Sequence, residues 1–138
     1  MPLDASWLTG MTALAETLAV VPHPLAAWAV ERLEPFRDRV GISPTTVTGP
    51  VAYHVGVCSW ALGRRRDGLD ALEQAVEISD RVGLPVFGAR SRLALAERLA
   101  CTGDRAGATR LAGDALAVCS ALGLEGVARD AAVVLGSR

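Results

Sequence analysis

Leu62-Gly63-Arg64-Arg65-Arg66-Asp67-Gly68-Leu69-Asp70-Ala71-Leu72-Glu73-Gln74-Ala75 is echoed forty residues later by Thr102-Gly103-Asp104-Arg105-Ala106-Gly107-Ala108. Gly63 matches Gly103, Arg65 matches Arg105 and Ala75 matches Ala115. Further along, Gly83 matches Gly123 and Leu84 matches Leu124. Apolar positions correspond as well, Val76 with Leu116, Ile78 with Val118 and Val82 with Leu122, and the small residues Gly68 and Ala108 are equivalent. Five identities over the twenty-two positions from Gly63 are few. They fall, however, at glycines that end helical stretches and at small residues of an inner face, the sites a stack of helix pairs constrains most.

Outward from this repeat, Pro and Gly divide the chain into segments of helical length, each with apolar residues at three- and four-residue spacing. Seven helices are expected, over residues 7–20, 24–37, 49–62, 67–82, 85–101, 104–122 and 125–135. Pro35 should kink or end the second. Pro50 suits the first turn of the third, where a missing N–H is no loss. Residues 41–48, with Pro44 and three threonines, read as the longest loop.

Composition agrees with an all-α chain. Of 138 residues, 51% are apolar and 21% charged, every basic residue is Arg, and Ala and Leu dominate. Such usage favours helix. Aromatic residues make up 4%, and Val and Ile do not alternate with polar residues, so almost no sheet is expected. The length fits one domain, 1–138, that can bury a core without disulfides or a structural metal. A net charge of −1 lacks the basic excess that phosphate neutralisation requires, which argues against nucleic acid. The N-terminus has no basic residue before its apolar part and does not read as a secretory signal. The uncharged stretch 40–63 is interrupted by Pro44, Pro50, Gly41 and Gly49, so no membrane span is expected and the location implied is cytoplasmic.

Together, the turn-and-helix stretches above resemble the tetratricopeptide repeat. In that family a Gly ends the first helix, a small residue sits beyond the turn, and an Ala follows seven residues later. Gly68 with Ala75 and Ala108 with Ala115 fill those places, and Gly56 matches the small residue inside the first helix. The period of 40 exceeds the family's roughly 34, and Ala52 and Arg92 stand where an aromatic is usual. More narrowly, Gly49-Pro50-Val51-Ala52-Tyr53-His54-Val55-Gly56, Ser79-Asp80-Arg81-Val82-Gly83-Leu84-Pro85 and the preceding 31–40 are similar to the C-terminal helical-repeat region of large actinobacterial regulators. Those carry an ATPase core with a LuxR-type DNA-binding domain or a cyclase domain. The resemblance implies a right-handed stack of antiparallel helix hairpins, about three pairs plus a capping helix. It implies a protein-protein interaction or scaffold role in a transcriptional or signalling regulator, with a protein or peptide, or the parent's other domains, as partner.

No residue pattern points to catalysis. His54 and Cys58 lie four apart on one helix face, but a reactive thiol needs an electropositive setting and an orienting third group. Cys58, Cys101 and Cys119 show no C-x-x-C spacing and read as buried reduced thiols; the two histidines have no metal-ligand spacing. A P-loop is excluded by the absence of Lys. No cofactor is therefore expected. Arg64-Arg65-Arg66 reads as a solvated turn, Glu73, Glu77 and Asp80 as a solvent-facing stripe with Glu77 paired to Arg81. Trp7, Trp28 and Trp60 read as packing residues.

If the hairpins stack, the first helix of each pair lines a concave surface. On the faces opposite the small residues lie Tyr53, Val57 and Trp60, then Arg90, Leu93 and Glu97. Aromatics beside Arg over an apolar floor suit a peptide or protein partner. The alternative is an effector-sensing domain in which Tyr53, His54 and Trp60 wall a closed pocket. Finally, the first helix has nothing N-terminal to cover it, so Trp7, Leu8, Met11 and Leu14 are expected to pair with a second copy as a homodimer.

Overall fold

Four glycines twenty residues apart, Gly63, Gly83, Gly103 and Gly123, all adopt positive φ (77°, 75°, 94° and 69°). After each, the next residue's N–H donates back five residues: Arg64 to the Ser59 carbonyl, Leu84 to Ser79, Asp104 to Leu99 and Leu124 to Cys119, at 2.8–3.0 Å. This is the Schellman closure, which satisfies the last carbonyls of a helix and requires a left-handed residue that glycine adopts without penalty. The turns therefore cut the second half of the chain at regular intervals.

A computed structural model describes residues 5–136. Its elements are α1 (Ala5–Val20), α2 (Leu25–Leu33) followed by a 3₁₀ turn (Glu34–Phe36), β1 (Val40–Ser43), β2 (Thr46–Pro50), α3 (Val51–Ala61), α4 (Arg65–Val82), α5 (Pro85–Thr102), α6 (Arg105–Leu122) and α7 (Glu125–Gly136). The protein is mostly helical, and the seven expected helices are present among the described residues. From α3 onward each helix packs chiefly on its neighbours in sequence, and α7 also reaches α5; α1 lies against α2, α3 and β1.

Small residues allow the close approaches. A Cβ on Gly68 would lie 3.1 Å from the Gly56 carbonyl and from the Trp60 nitrogen, and one on Gly56 would lie 2.7 Å from Leu72. Ala75, Ala108 and Ala115 are buried. One apolar cluster joins α1, α2 and α3 through Met11, Ala15, Leu18, Leu33 and Val55. The next joins α3 to α6 through Val57, Leu72, Leu95 and Leu111, and another joins α5, α6 and α7 through Leu93, Ala115, Cys119 and Ala131.

Several expectations are revised. Residues 41–48 are not a loop: they lie in an antiparallel hairpin with Val40 opposite Pro50, Gly41 opposite Gly49, Ile42 opposite Val47 and Ser43 opposite Thr46, and an irregularity between Gly41 and Ile42. The β-branched residues Val40, Ile42, Thr46, Val47 and Thr48 favour extended backbone, and Pro44-Thr45 is a two-residue connection. Pro50 accordingly ends β2 in extended geometry, one residue before α3. Of the α1 face expected to pair with a second copy, Met11 is buried and Trp7, Leu8 and Leu14 are partly buried against the first cluster, with Trp7 edge-on to Phe36 at 5.4 Å, so part of that face packs within its own chain. Exposed large apolar residues include Val20, Val21, Leu25 and Trp28, and Trp28 carries the Arg32 guanidinium over its ring rather than packing inside. Cys58 and Cys119 are buried, as expected, but Cys101 is exposed. Lastly, Glu77 and Arg81 form no ion pair with each other; Asp80 takes Arg92 at 2.7 Å across the α4–α5 crossing.

Candidate functional site

Helical geometry brings one face of α5 toward α3 and α7. Positions 90, 93, 94 and 97 recur at three- and four-residue spacing and so share a side of that helix. Arg90, Leu93, Ala94, Glu97 and Arg98 of α5, Tyr53 of α3, and Val127 and Asp130 of α7 line a cleft of about 260 Å³. Leu93 and Ala94 form its floor, with 7% and 6% of their surfaces exposed.

Tyr53, Arg90, Leu93 and Glu97, four of the six residues chosen from the sequence, meet in this cleft. The other two do not. Val57 faces the core among Leu72, Leu95 and Leu111. Trp60 lies nearly two turns beyond Tyr53, next to Gly68, with the Arg65 guanidinium 5.6 Å from its ring centre. Arg98, Val127 and Asp130 escape a reading of the sequence, since nothing local marks a helix as the wall of a distant one.

Glu16 escapes it too. This α1 residue holds Arg90 at 2.6 Å, 74 positions away in sequence, and thereby ties the cleft to the first helix. Arg90 also lies over the Tyr53 ring at 5.1 Å. Burial opposes its charge, but Tyr53 and Glu16 outweigh that cost and hold its pKa above the usual value. Glu97 and Arg98 pair at 2.8 Å, and Arg98 also donates to the Ala94 carbonyl. The cleft thus presents an aromatic ring and fixed guanidinium groups over an aliphatic floor, with most of its charge internally matched.

His54 stands behind Tyr53, edge to face at 5.2 Å. It is 1% exposed. Its Nε2 lies 2.9 Å from the Thr48 carbonyl, so Nε2 carries the proton and donates, and Nδ1 is left buried with no partner. Burial lowers its pKa, with the Thr48 hydrogen bond and Glu16 acting the other way. The Thr48 hydroxyl in turn accepts from the Thr12 hydroxyl at 3.1 Å. His54 therefore fastens β2 to α3 and backs the Tyr53 ring; it does not wall the cleft. Tyr53, His54 and Trp60, grouped as an effector pocket, do not come together around that space.

The His54–Cys58 pair is not an imidazole–thiolate couple. Cys58 donates weakly to the Ala26 carbonyl at 3.7 Å, and burial pushes its thiol pKa up. Among the described residues no group of three His, Cys, Asp or Glu is placed to hold a metal ion, and no helix is long and apolar enough to cross a membrane. A second cleft, about 500 Å³, opens between α2 and α4, where Glu31, Glu34 and Asp67 face Arg37 and Arg64; Arg37 is already held by Glu34 at 3.0 Å and Gln74 at 2.6 Å. No protein-family model, curated protein or solved structure matches the chain, so its own geometry carries the functional reading.

Proposed function

We propose that this protein is a non-catalytic interaction module of the tetratricopeptide type. In this reading helices α3 to α6 form two stacked hairpins, α7 caps them, and the inner face of α3, α5 and α7 receives an extended segment of a protein partner, in a regulator of the actinobacterial kind. One observation supports it above the others. The face chosen from the repeat register supplies Tyr53, Arg90, Leu93 and Glu97 to a single cleft. Tyr and Arg over a buried aliphatic floor are the side chains that dominate binding energy at protein interfaces. The pairs Arg90–Glu16 and Arg98–Glu97 pre-set the wall, so less side-chain freedom is lost on binding.

The test is selection of a displayed peptide library on the immobilised chain, followed by affinities for purified peptides. Tyr53→Ala with Arg90→Ala should weaken the selected peptides by about tenfold or more, with the helical circular dichroism retained. Equal affinities for the variant and the parent chain would refute the cleft as the binding site.

A further inference from the structure

The opposite side of α5 carries a second groove of different character. Arg92, Leu95 and Leu99 lie about half a helical turn from Arg90, Leu93 and Glu97. With Val76 of α4 and Leu111 of α6 they frame a groove of about 390 Å³. Its floor is aliphatic: Leu95 and Leu111 are 4% and 6% exposed, and Val76 and Leu99 are half-buried. Its rim is acidic. Glu73 and Glu77 rise on the α4 side and Asp104 and Asp114 on the α6 side.

What separates this groove from the Tyr53 cleft is the state of its charges. Arg92 is taken by Asp80 at 2.7 Å, and Arg110 sits 3.6 Å from Asp114. Asp104 accepts the Gly107 N–H. Glu73 and Glu77 form no ion pair among the described residues, so the α4 rim keeps two uncompensated negative charges one turn apart. A ligand that matched both floor and rim would carry an aliphatic stripe flanked by cations. From Gly107 to Asp114 the α6 wall runs about 10 Å, at 1.5 Å per residue, which is the length of two helical turns.

We infer that the groove between α4 and α6 is a docking surface for a short basic amphipathic helix of a partner protein, with aliphatic residues on Leu95, Leu99 and Leu111 and Lys or Arg facing Glu73 and Glu77. Recognition by aliphatic anchors at helical spacing gives such a helix its seat, and the acidic rim steers its approach. This surface is separate from the Tyr53 cleft and does not depend on what that cleft binds.

The probe is a fluorescein-labelled fourteen-residue helix with Leu at positions i, i+3, i+4 and i+7 and Lys elsewhere, titrated with the full chain by anisotropy at low salt. Binding is expected to weaken about tenfold in Glu73→Gln/Glu77→Gln, since exposed ion pairs are worth a few-fold each, and to fall with added salt. It should be unchanged in Tyr53→Ala. Four outcomes overturn the inference: no binding by the parent chain; equal binding by the double Gln variant; equal binding of a probe with Glu in place of Lys; or concentration-dependent self-association that the double Gln variant abolishes, which would give the groove to a second copy.

Discussion

His54 couples the fold to pH. The unfolded chain binds a proton on this side chain at about pH 6.5, whereas in the fold burial disfavours the charged ring and Nδ1 meets no acceptor. The folded pKa is the lower one, so the His54 contribution to stability is complete above about pH 6.5 and is lost progressively as the pH falls below it. Around it stand the Thr48 carbonyl, Tyr53, Glu16 and Arg90, of which Glu16 favours protonation and Arg90 opposes it. Melting temperatures between pH 7 and pH 5 should therefore fall more steeply for the parent chain than for His54→Gln; parallel slopes would contradict this account. At the helix crossings the deciding quantity is volume. Ala75→Leu should cost about 1–3 kcal/mol through overpacking, as should Gly68→Ala, whose Cβ would press the Gly56 and Trp60 backbones at 3.1 Å. Denaturant midpoints measure both. The small residues are visible in the sequence because the repeat fixes their register. The role of His54 is not, because its hydrogen bond depends on a hairpin that reads as a loop.

Among elements, the helix ends and interiors predict opposite signs for one substitution. Gly113 lies inside α6 with open space where a methyl would stand, so Gly113→Ala should stabilise by about 0.5–1 kcal/mol. Gly103 holds φ at 94°, so Gly103→Ala should destabilise by about 1 kcal/mol or more. Chemical denaturation of the two variants side by side is the check. Asp104 accepts the Gly107 N–H at 2.9 Å and caps α6; Asp104→Ala should cost about 1 kcal/mol. These helices are legible from Gly and Pro punctuation, and their ends agree to within two residues from α3 to α7. The hairpin is not legible, since nine residues offer too short a window for alternation to show and Pro44 and Pro50 mimic a loop. The cleft is half legible. Residues on one helix share a face by periodicity, which finds Arg90, Leu93 and Glu97; partners on α1 and α7 depend on how helices meet, which periodicity does not encode.

Across the whole molecule, the regular turns leave most packing between helices adjacent in sequence, a nearest-neighbour arrangement whose parts separate in order. The last helix is the least buried: Ala131 is the one residue of α7 that is fully covered among those described, and α7 rests chiefly on α6 and α5. The twenty-residue spacing of the left-handed glycines consequently acts as a timetable as well as a ruler. Chains whose contacts are local in sequence fold in milliseconds or faster, and they reopen from a free end before they open in the middle. Hydrogen exchange read by mass spectrometry should show the amides of α7 exchanging first and those of α3 and α4, clasped through Gly56 and Gly68, exchanging last. A single exchange rate for all helices would mean that the protein opens as one cooperative unit. The Val127 and Asp130 wall of the Tyr53 cleft rides on that first helix to leave, so occupancy of the cleft should slow exchange in α7 before it slows exchange anywhere else.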